Sequence, residues 1–297
     1  MFPWLEILQL IVRLIFHVFW DPVFWLVLAL VVFQYRRMEK DQIRMFGVAG
    51  PSLSRKVISA LLLGTAGGII GSFVLSVAGV SINHLGIDYI WPVAIALMLI
   101  NLRFLCFAYA GGLVALANVL FGWPAVNVPQ VLALVAGLHV TESILIFVSG
   151  RYGAVPIILK KDDGRLVGAF TLQNFWPLPL VLLVAKVVLE GPGPAGIISM
   201  PDWWPPLPLG GEPPAGHTWL YEMGLAVAAL GYADIAVAST PARRRRRSAV
   251  HLFLYSTALM AMAVLSVKSA WLQAAAAIMS PLGHELLIRI DNRQEMK

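Results

Sequence analysis

Charge is scarce in this sequence. Only 13% of its 297 residues are Asp, Glu, Lys or Arg, about half the share a soluble domain carries. Cysteine is scarcer still: a single Cys106 can neither close an internal disulfide nor build a cysteine cluster, which excludes disulfide-stapled and zinc-finger architectures. Lys and Arg are missing altogether from residues 83–88, 122–129 and 191–218. No complete catalytic motif is present either. There is no phosphate-binding glycine loop ahead of a basic residue, no serine elbow, no setting for a cysteine nucleophile and no aromatic-basic surface for nucleic acid.

What fills the chain is apolar: 59% of residues are hydrophobic and the mean hydropathy is +0.79. At roughly 20 apolar residues per crossing, this composition reads as a multi-pass membrane protein. The expected fold is all-α and polytopic, with about eight transmembrane helices and six to eight as the range. The apolar stretches run over 22–35, 57–82, 89–102, 104–121, 130–149, 177–190, 219–239 and 249–271. Residues 1–21 form an interfacial amphipathic helix in this reading, because Glu6, Gln9, Arg13 and His17 fall on one stripe of a helix that is otherwise Trp, Leu, Ile and Phe. Asp21 and Pro22 separate it from the first crossing. The membrane domain is expected over 22–281, followed by a short tail, 282–297.

The charges set the orientation. Eighteen of the 22 basic residues lie within 36–56, 151–165, 243–247 and 285–297. These basic segments alternate with the Lys/Arg-free ones, and the positive-inside rule assigns 36–56, 151–165 and 243–247 to the cytoplasm of a plasma-membrane protein. The side on which the carboxyl end lies stays open, because Ser280 and Pro281 interrupt the last apolar stretch. Residues 155–171 hold two short strand-like runs about a Gly-containing turn, and a small cytoplasmic β-hairpin is expected there. Residues 191–218 carry eight prolines, six glycines and the run Trp203 to Pro206, which reads as a stiff outer loop with tryptophans at the headgroup layer.

Few residues carry chemistry. His284 and Glu285 begin a metalloprotease-like helix motif, but Ile288 occupies the position of the second histidine. His139 and Glu142, three residues apart in one apolar stretch, share a helix face and form a candidate buried polar site, which a small-solute or ion-coupled transporter could use. No catalytic, cofactor or metal residue is assigned, and no cofactor is expected. Arg243, Arg244, Arg245, Arg246 and Arg247 read first as a topology signal and second as a cytoplasmic contact or lipid-facing surface. Gly64, Gly67, Gly68 and Gly71 allow close approach of another element, within the bundle or across a dimer face.

The order of features is also informative: Asp21-Pro22, Tyr35-Arg36-Arg37, Arg103-Phe104-Leu105, Val140 to Ile146, Leu166 to Phe170, Trp176 to Leu180 and Trp203-Trp204-Pro205. In this order the chain resembles the membrane domain of the MinJ-like, PDZ-containing cell-division topology proteins of Gram-positive bacteria. The PDZ part is absent here, and 282–297 is the expected truncation point before it. The resemblance implies a non-enzymatic membrane scaffold or adaptor that links cytoplasmic division or polar-scaffold proteins at the bilayer. It brings no residue-level site. The partners expected are the lipid bilayer, such cytoplasmic proteins and further copies of the chain in a homo-oligomer, with no nucleic acid. A transporter using Glu142 and His139 is the alternative, and a degenerate intramembrane metalloprotease the third reading.

Overall fold

The computed structural model describes residues 1–47, 50–149, 153–160, 164–191 and 197–296. Helices α1 (Trp4–Ile15), α2 (Pro22–Phe46), α3 (Leu53–Ala78), α4 (Ile87–Ile100), α5 (Phe107–Phe121) and α6 (Val128–Ser149) come first. Strands β1 (Ala154–Lys160), β2 (Leu166–Leu189) and β3 (His217–Ala236) follow, then helices α7 (Pro241–Leu265) and α8 (Ala270–Met296). Among the described residues, three segments are long and apolar enough to cross a membrane: Leu53–Ala78, Val128–Ser149 and Pro241–Lys268. Residues 4–20 and 22–44 satisfy the same test as a pair, bent by 77° at their junction.

Local chemistry accounts for the bend. The Asp21 carboxylate accepts the Val23 N–H at 2.8 Å and Pro22 opens α2, so the chain stops one helix and caps the next within two residues. Ile7, Ile11 and Ile15 of α1 are buried in a cluster with Val181 of β2, while Glu6, Gln9, Arg13 and His17 are exposed. α2 does not stop at Tyr35 but continues as a helix through Arg36, Arg37, Lys40 and Arg44.

The fold is not all-α. The stretches 177–190 and 219–239, expected as crossing helices, are strands: β2 and β3 pair antiparallel from Phe170↔Ala236 to Leu189↔His217. The expected hairpin at 155–171 is present, with β1 paired to the start of β2 from Ala154↔Leu172 to Lys160↔Leu166. Its turn residues 161–163 lie outside the described residues, as does part of the Pro-rich loop. β2 runs on far beyond this hairpin, and the strand order is β1-β2-β3. Pro177 and Pro179 explain the change. In a helix interior each would remove a hydrogen bond and clash with the preceding turn, whereas along a strand edge both are tolerated.

That edge is met residue by residue. Alternate residues of an antiparallel strand turn their N–H and C=O to opposite neighbours, and on β2 the odd residues from 175 onward turn away from β3. The Tyr35 hydroxyl donates to the Phe175 carbonyl at 3.1 Å and accepts its N–H at 3.0 Å. Pro177 and Pro179 have no N–H, and their carbonyls lie against Gly64 and Gly68 of α3, where a Cβ would come within 2.1 and 2.0 Å. Ser72 Oγ accepts the Val181 N–H at 2.8 Å. The Leu183 carbonyl accepts the Ile82 N–H at 2.8 Å, and the Asn83 side-chain amide satisfies both backbone groups of Ala185. Four helical residues advance about 6.0 Å and two strand residues about 6.6 Å. Gly64, Gly68 and Ser72 therefore keep step with residues 177, 179 and 181. Gly67 and Gly71 meet Leu145 and Thr141 of α6 instead, so this glycine face is used inside the fold.

Trp176, Leu178, Leu180 and Leu182 project from β2 into the main core, which α5, α6, α7 and α8 complete. α8 continues through Ser280 and Pro281 to Met296, so 282–297 is not a free tail but the second half of a packed helix, with Lys297 alone outside the described residues.

Gly68→Val is expected to destabilise the fold by about 3 kcal/mol or more, since the atom it meets is a backbone carbonyl that cannot turn aside. Gly168→Val, at a strand position with nothing within 4 Å, should stay within about 0.5 kcal/mol of wild type. Unfolding of the two variants in detergent, followed side by side, checks the difference.

Candidate metal centre

Three donor atoms from three helices converge at one point. Cys106 is the N-cap of α5, where its Sγ accepts the Ala108 N–H at 3.5 Å. From there the sulfur lies 3.1 Å from His139 Nε2 on α6 and 3.8 Å from His284 Nε2 on α8, and all three donors lie within 4.8 Å of one another. A tetrahedral zinc with bonds of about 2.0–2.1 Å to nitrogen and 2.3 Å to sulfur places its ligand atoms about 3.3–3.6 Å apart. The two sulfur–nitrogen distances, 3.1 and 3.8 Å, fall either side of that spacing.

Their orientation is fixed from behind. His139 Nδ1 donates to the Val135 carbonyl at 2.7 Å, one turn back on α6, which leaves Nε2 with its lone pair toward the sulfur. His284 Nδ1 lies 3.4 Å from the Tyr109 hydroxyl, which donates to Glu285 Oε2 at 3.0 Å. This is the outer-sphere pattern of ligating histidines, one ring nitrogen on the metal and the other held by an oxygen acceptor. Glu285 is anchored in turn by Arg103 at 3.1 Å and Arg289 at 2.9 Å. Burial would raise the Glu285 carboxyl, but hydrogen bonds from Arg289 and Tyr109 and the charge of Arg103 hold it below its ordinary range.

Helix packing brings α8 to this point. Gly112 of α5 faces Pro281 and the Ala277 carbonyl, with a Cβ at 2.5 and 3.0 Å. Ser280 Oγ donates to the Ala108 carbonyl at 2.7 Å, and Tyr255 of α7 donates to the Ser280 carbonyl at 2.6 Å. The Tyr255 ring then stands edge-on to both imidazoles, at 6.0 and 5.9 Å between centroids. His139 is almost fully buried, while Cys106 and His284 are partly accessible. One face of the triplet is thus closed by aromatic packing and the other retains access.

The residues singled out from sequence separate here. His139 enters the cluster; Glu142, one turn further along α6, stands outside the donor triplet and makes no hydrogen bond among the described residues. His284 and Cys106 were not assigned. The histidine fails the short-range metalloprotease motif, and the cysteine has no cysteine partner. Their nearest neighbour in the site is 33 residues from Cys106 in sequence and the other 178, so no local spacing signals them.

The run Arg243 to Arg247 is not an open contact surface. Arg244 and Arg245 are each 1% exposed. Arg244 bonds to Asp234 at 2.6 Å and to the Asp291 carbonyl at 2.7 Å, and Arg245 lies beside the Tyr232 ring and the Ser149 carbonyl. Arg247 is paired with Glu295, and only Arg243 and Arg246 are exposed. A helical period of 3.6 residues turns alternate sides of the run inward, where β3 and α8 supply carboxylates. His251 and Ser248 also bond to Asp291, at 2.7 and 3.1 Å.

Comparison with protein-family models, with curated proteins and with solved structures finds no match to the chain. The MinJ-like resemblance therefore rests on the motifs quoted above.

The ion-pair cluster makes a pH prediction. Burial would raise the Glu295 carboxyl, but hydrogen bonds from the Ser239 side chain, from the Val237 and Ser239 N–H groups and from Arg247 outweigh it and hold the group at about 2, against an ordinary 4.5. A lowered carboxyl stabilises the folded state fully above its unfolded value and loses that contribution as pH falls through its folded value. The stability difference between wild type and Glu295→Gln is expected to be on the order of 3 kcal/mol near neutrality. It should narrow from about pH 4.5 and vanish near pH 2, as followed by denaturant unfolding across that range.

Proposed function

We propose that this chain is a multi-pass plasma-membrane protein that binds one soft or borderline divalent metal, zinc first, through Cys106, His139 and His284. The carrying observation is the convergence of one sulfur and two oriented imidazole nitrogens within 4.8 Å. Thiolate and imidazole together favour zinc among abundant divalent ions. The bound ion would clamp α5, α6 and α8 and leave a fourth position for water or an incoming ligand. When bound, it supplies Lewis acidity at that position. The chain's own residues hold it: Val135 and Tyr109 orient the imidazoles, and Glu285 polarises Tyr109.

The role we assign is non-enzymatic, a metal-bound membrane adaptor, in keeping with the MinJ-like order of motifs. A scaffold acting through Arg243 to Arg247 draws less support, because three of the five side chains are spent on internal carboxylates and carbonyls. A metalloprotease reading also draws less, because Ile288 stands where the motif places its second histidine.

Purified protein reconstituted with zinc is expected to retain about one ion per chain after dialysis, measured by elemental analysis. Cys106→Ser, His139→Ala and His284→Ala should each abolish retention, and Tyr109→Phe should weaken affinity about 10-fold or more. Zinc at 100 times its dissociation constant should stabilise the wild type by about 2.7 kcal/mol and leave Cys106→Ser unchanged. Retention indifferent to all three ligand substitutions would end the proposal.

A further inference from the structure

The two long strands are treated in opposite ways. At each odd residue of β2 from Phe175 to Ala185 at least one backbone group facing away from β3 is bonded, covered by a glycine face or removed by proline. β3 is the outer strand of the sheet. Its register, Leu178↔Ala228 and Leu180↔Ala226, makes its even residues the ones bonded to β2. The odd residues, among them Leu225, Val227, Ala229, Gly231 and Ala233, turn their N–H and C=O outward. Among the described residues no group bonds to them. β3 contains no proline to blank these donors.

The depth of this edge matters. α3 is long and apolar enough to cross a membrane, and Gly64, Gly68 and Ser72 set β2 residues 177–181 alongside its middle. The partners of those residues on β3 are 225–229, so the open edge lies at the level of an apolar crossing helix. Backbone groups unpaired in hydrocarbon cost several kcal/mol each, and open strand edges facing lipid do not occur. Toward the His217 end, Trp204 stands edge-on to Tyr221, and α1 packs on Met223. From Leu225 to Ala233 the odd face is largely uncovered, with Leu225, Ala229, Gly231 and Ala233 exposed. Those nine residues span about 30 Å as a strand, the thickness of a bilayer core.

We infer that this edge is a subunit interface in which β3 from Leu225 to Ala233 pairs antiparallel with β3 of a second copy about a two-fold axis, joining two three-stranded sheets into one of six. A second copy fits the chemistry. An antiparallel strand edge is its own complement under a two-fold. Residues 223–233 carry no charge, so nothing in the segment repels its copy. The acidic residues at either end are already paired within the chain, Glu222 with Lys186 at 2.6 Å and Asp234 with Arg244 at 2.6 Å. The small side chains of Ala229, Gly231 and Ala233 let a second backbone approach.

The test is the mass of the protein in detergent and in nanodiscs, by light scattering corrected for bound lipid and detergent. Wild type is expected at twice the 32.4 kDa of one chain. Val227→Pro removes one outward N–H and none that bonds to β2. Ala229→Lys keeps every backbone group but sets two like charges opposite each other at the axis, a device that protects natural sheet edges. Both should give a single-chain mass with unchanged circular dichroism. Wild type at one chain mass in both environments overturns the inference, and so does a dimer that survives both substitutions. The inference is independent of the metal centre, and Cys106→Ser should remain a dimer.

Discussion

The fold turns on a single constraint: a strand placed among apolar helices must dispose of its backbone polar groups without water. A helix meets this requirement internally, whereas a strand depends on neighbours. β2 meets it with Tyr35, Ser72, Asn83, the Ile82 N–H and two prolines, each at the residue where the ladder would otherwise leave an orphan. α3 can lie against that edge only because Gly64 and Gly68 present no side chain to the Pro177 and Pro179 carbonyls. The helix and strand repeats match closely enough for three successive contacts. β3 is in turn aligned by β2, and α7 begins where β3 ends, so the position of the arginine cluster descends from the same edge.

That cluster shows how a topology signal becomes structure. Five consecutive arginines favour one side of a membrane during insertion, but once α7 forms, its period turns Arg244 and Arg245 inward. Burying two guanidinium groups is tolerable only with partners in place, and Asp234, Asp291 and the end of α6 supply them. Glu295 gathers three successive N–H groups at the β3–α7 link together with Arg247. The carboxyl-terminal half of α8 is therefore fixed by charge, in contrast to its amino-terminal half, which is fixed by close packing at Gly112 and Ser280.

Parts of this were legible in the residues. The long apolar runs of α3, α6 and α7 and the hairpin at 155–171 follow from hydropathy and turn chemistry, and the polar stripe of α1 is exposed as its spacing requires. The strands β2 and β3 were not legible as such, because a buried strand and a short apolar helix share one composition. The distinguishing signal was Pro177 and Pro179 two residues apart, a spacing that suits a strand edge and no helix interior. The continuation of α8 through Pro281 ran the other way: a proline that reads as a break is absorbed where Gly112 makes room for its ring.

The candidate metal centre was illegible for a different reason. Metal motifs are recognised by short spacings on one element, and here each donor comes from a separate helix. Cys106 caps α5, His139 lies within the most thoroughly buried helix, and His284 follows the proline of α8 by three residues. What unites them is the register of α8 on α5, set by Ser280 donating to the Ala108 carbonyl and by Gly112 receiving Pro281. Sliding α8 by one turn would move His284 about 5.4 Å and dissolve the triplet. The same helix ends in the Asp291 and Glu295 contacts, so one element carries a candidate metal ligand at one point and the charge anchor at another. The register that brings His284 to Cys106 and His139 and the contacts that hold Asp291 and Glu295 are therefore set by the placement of one helix.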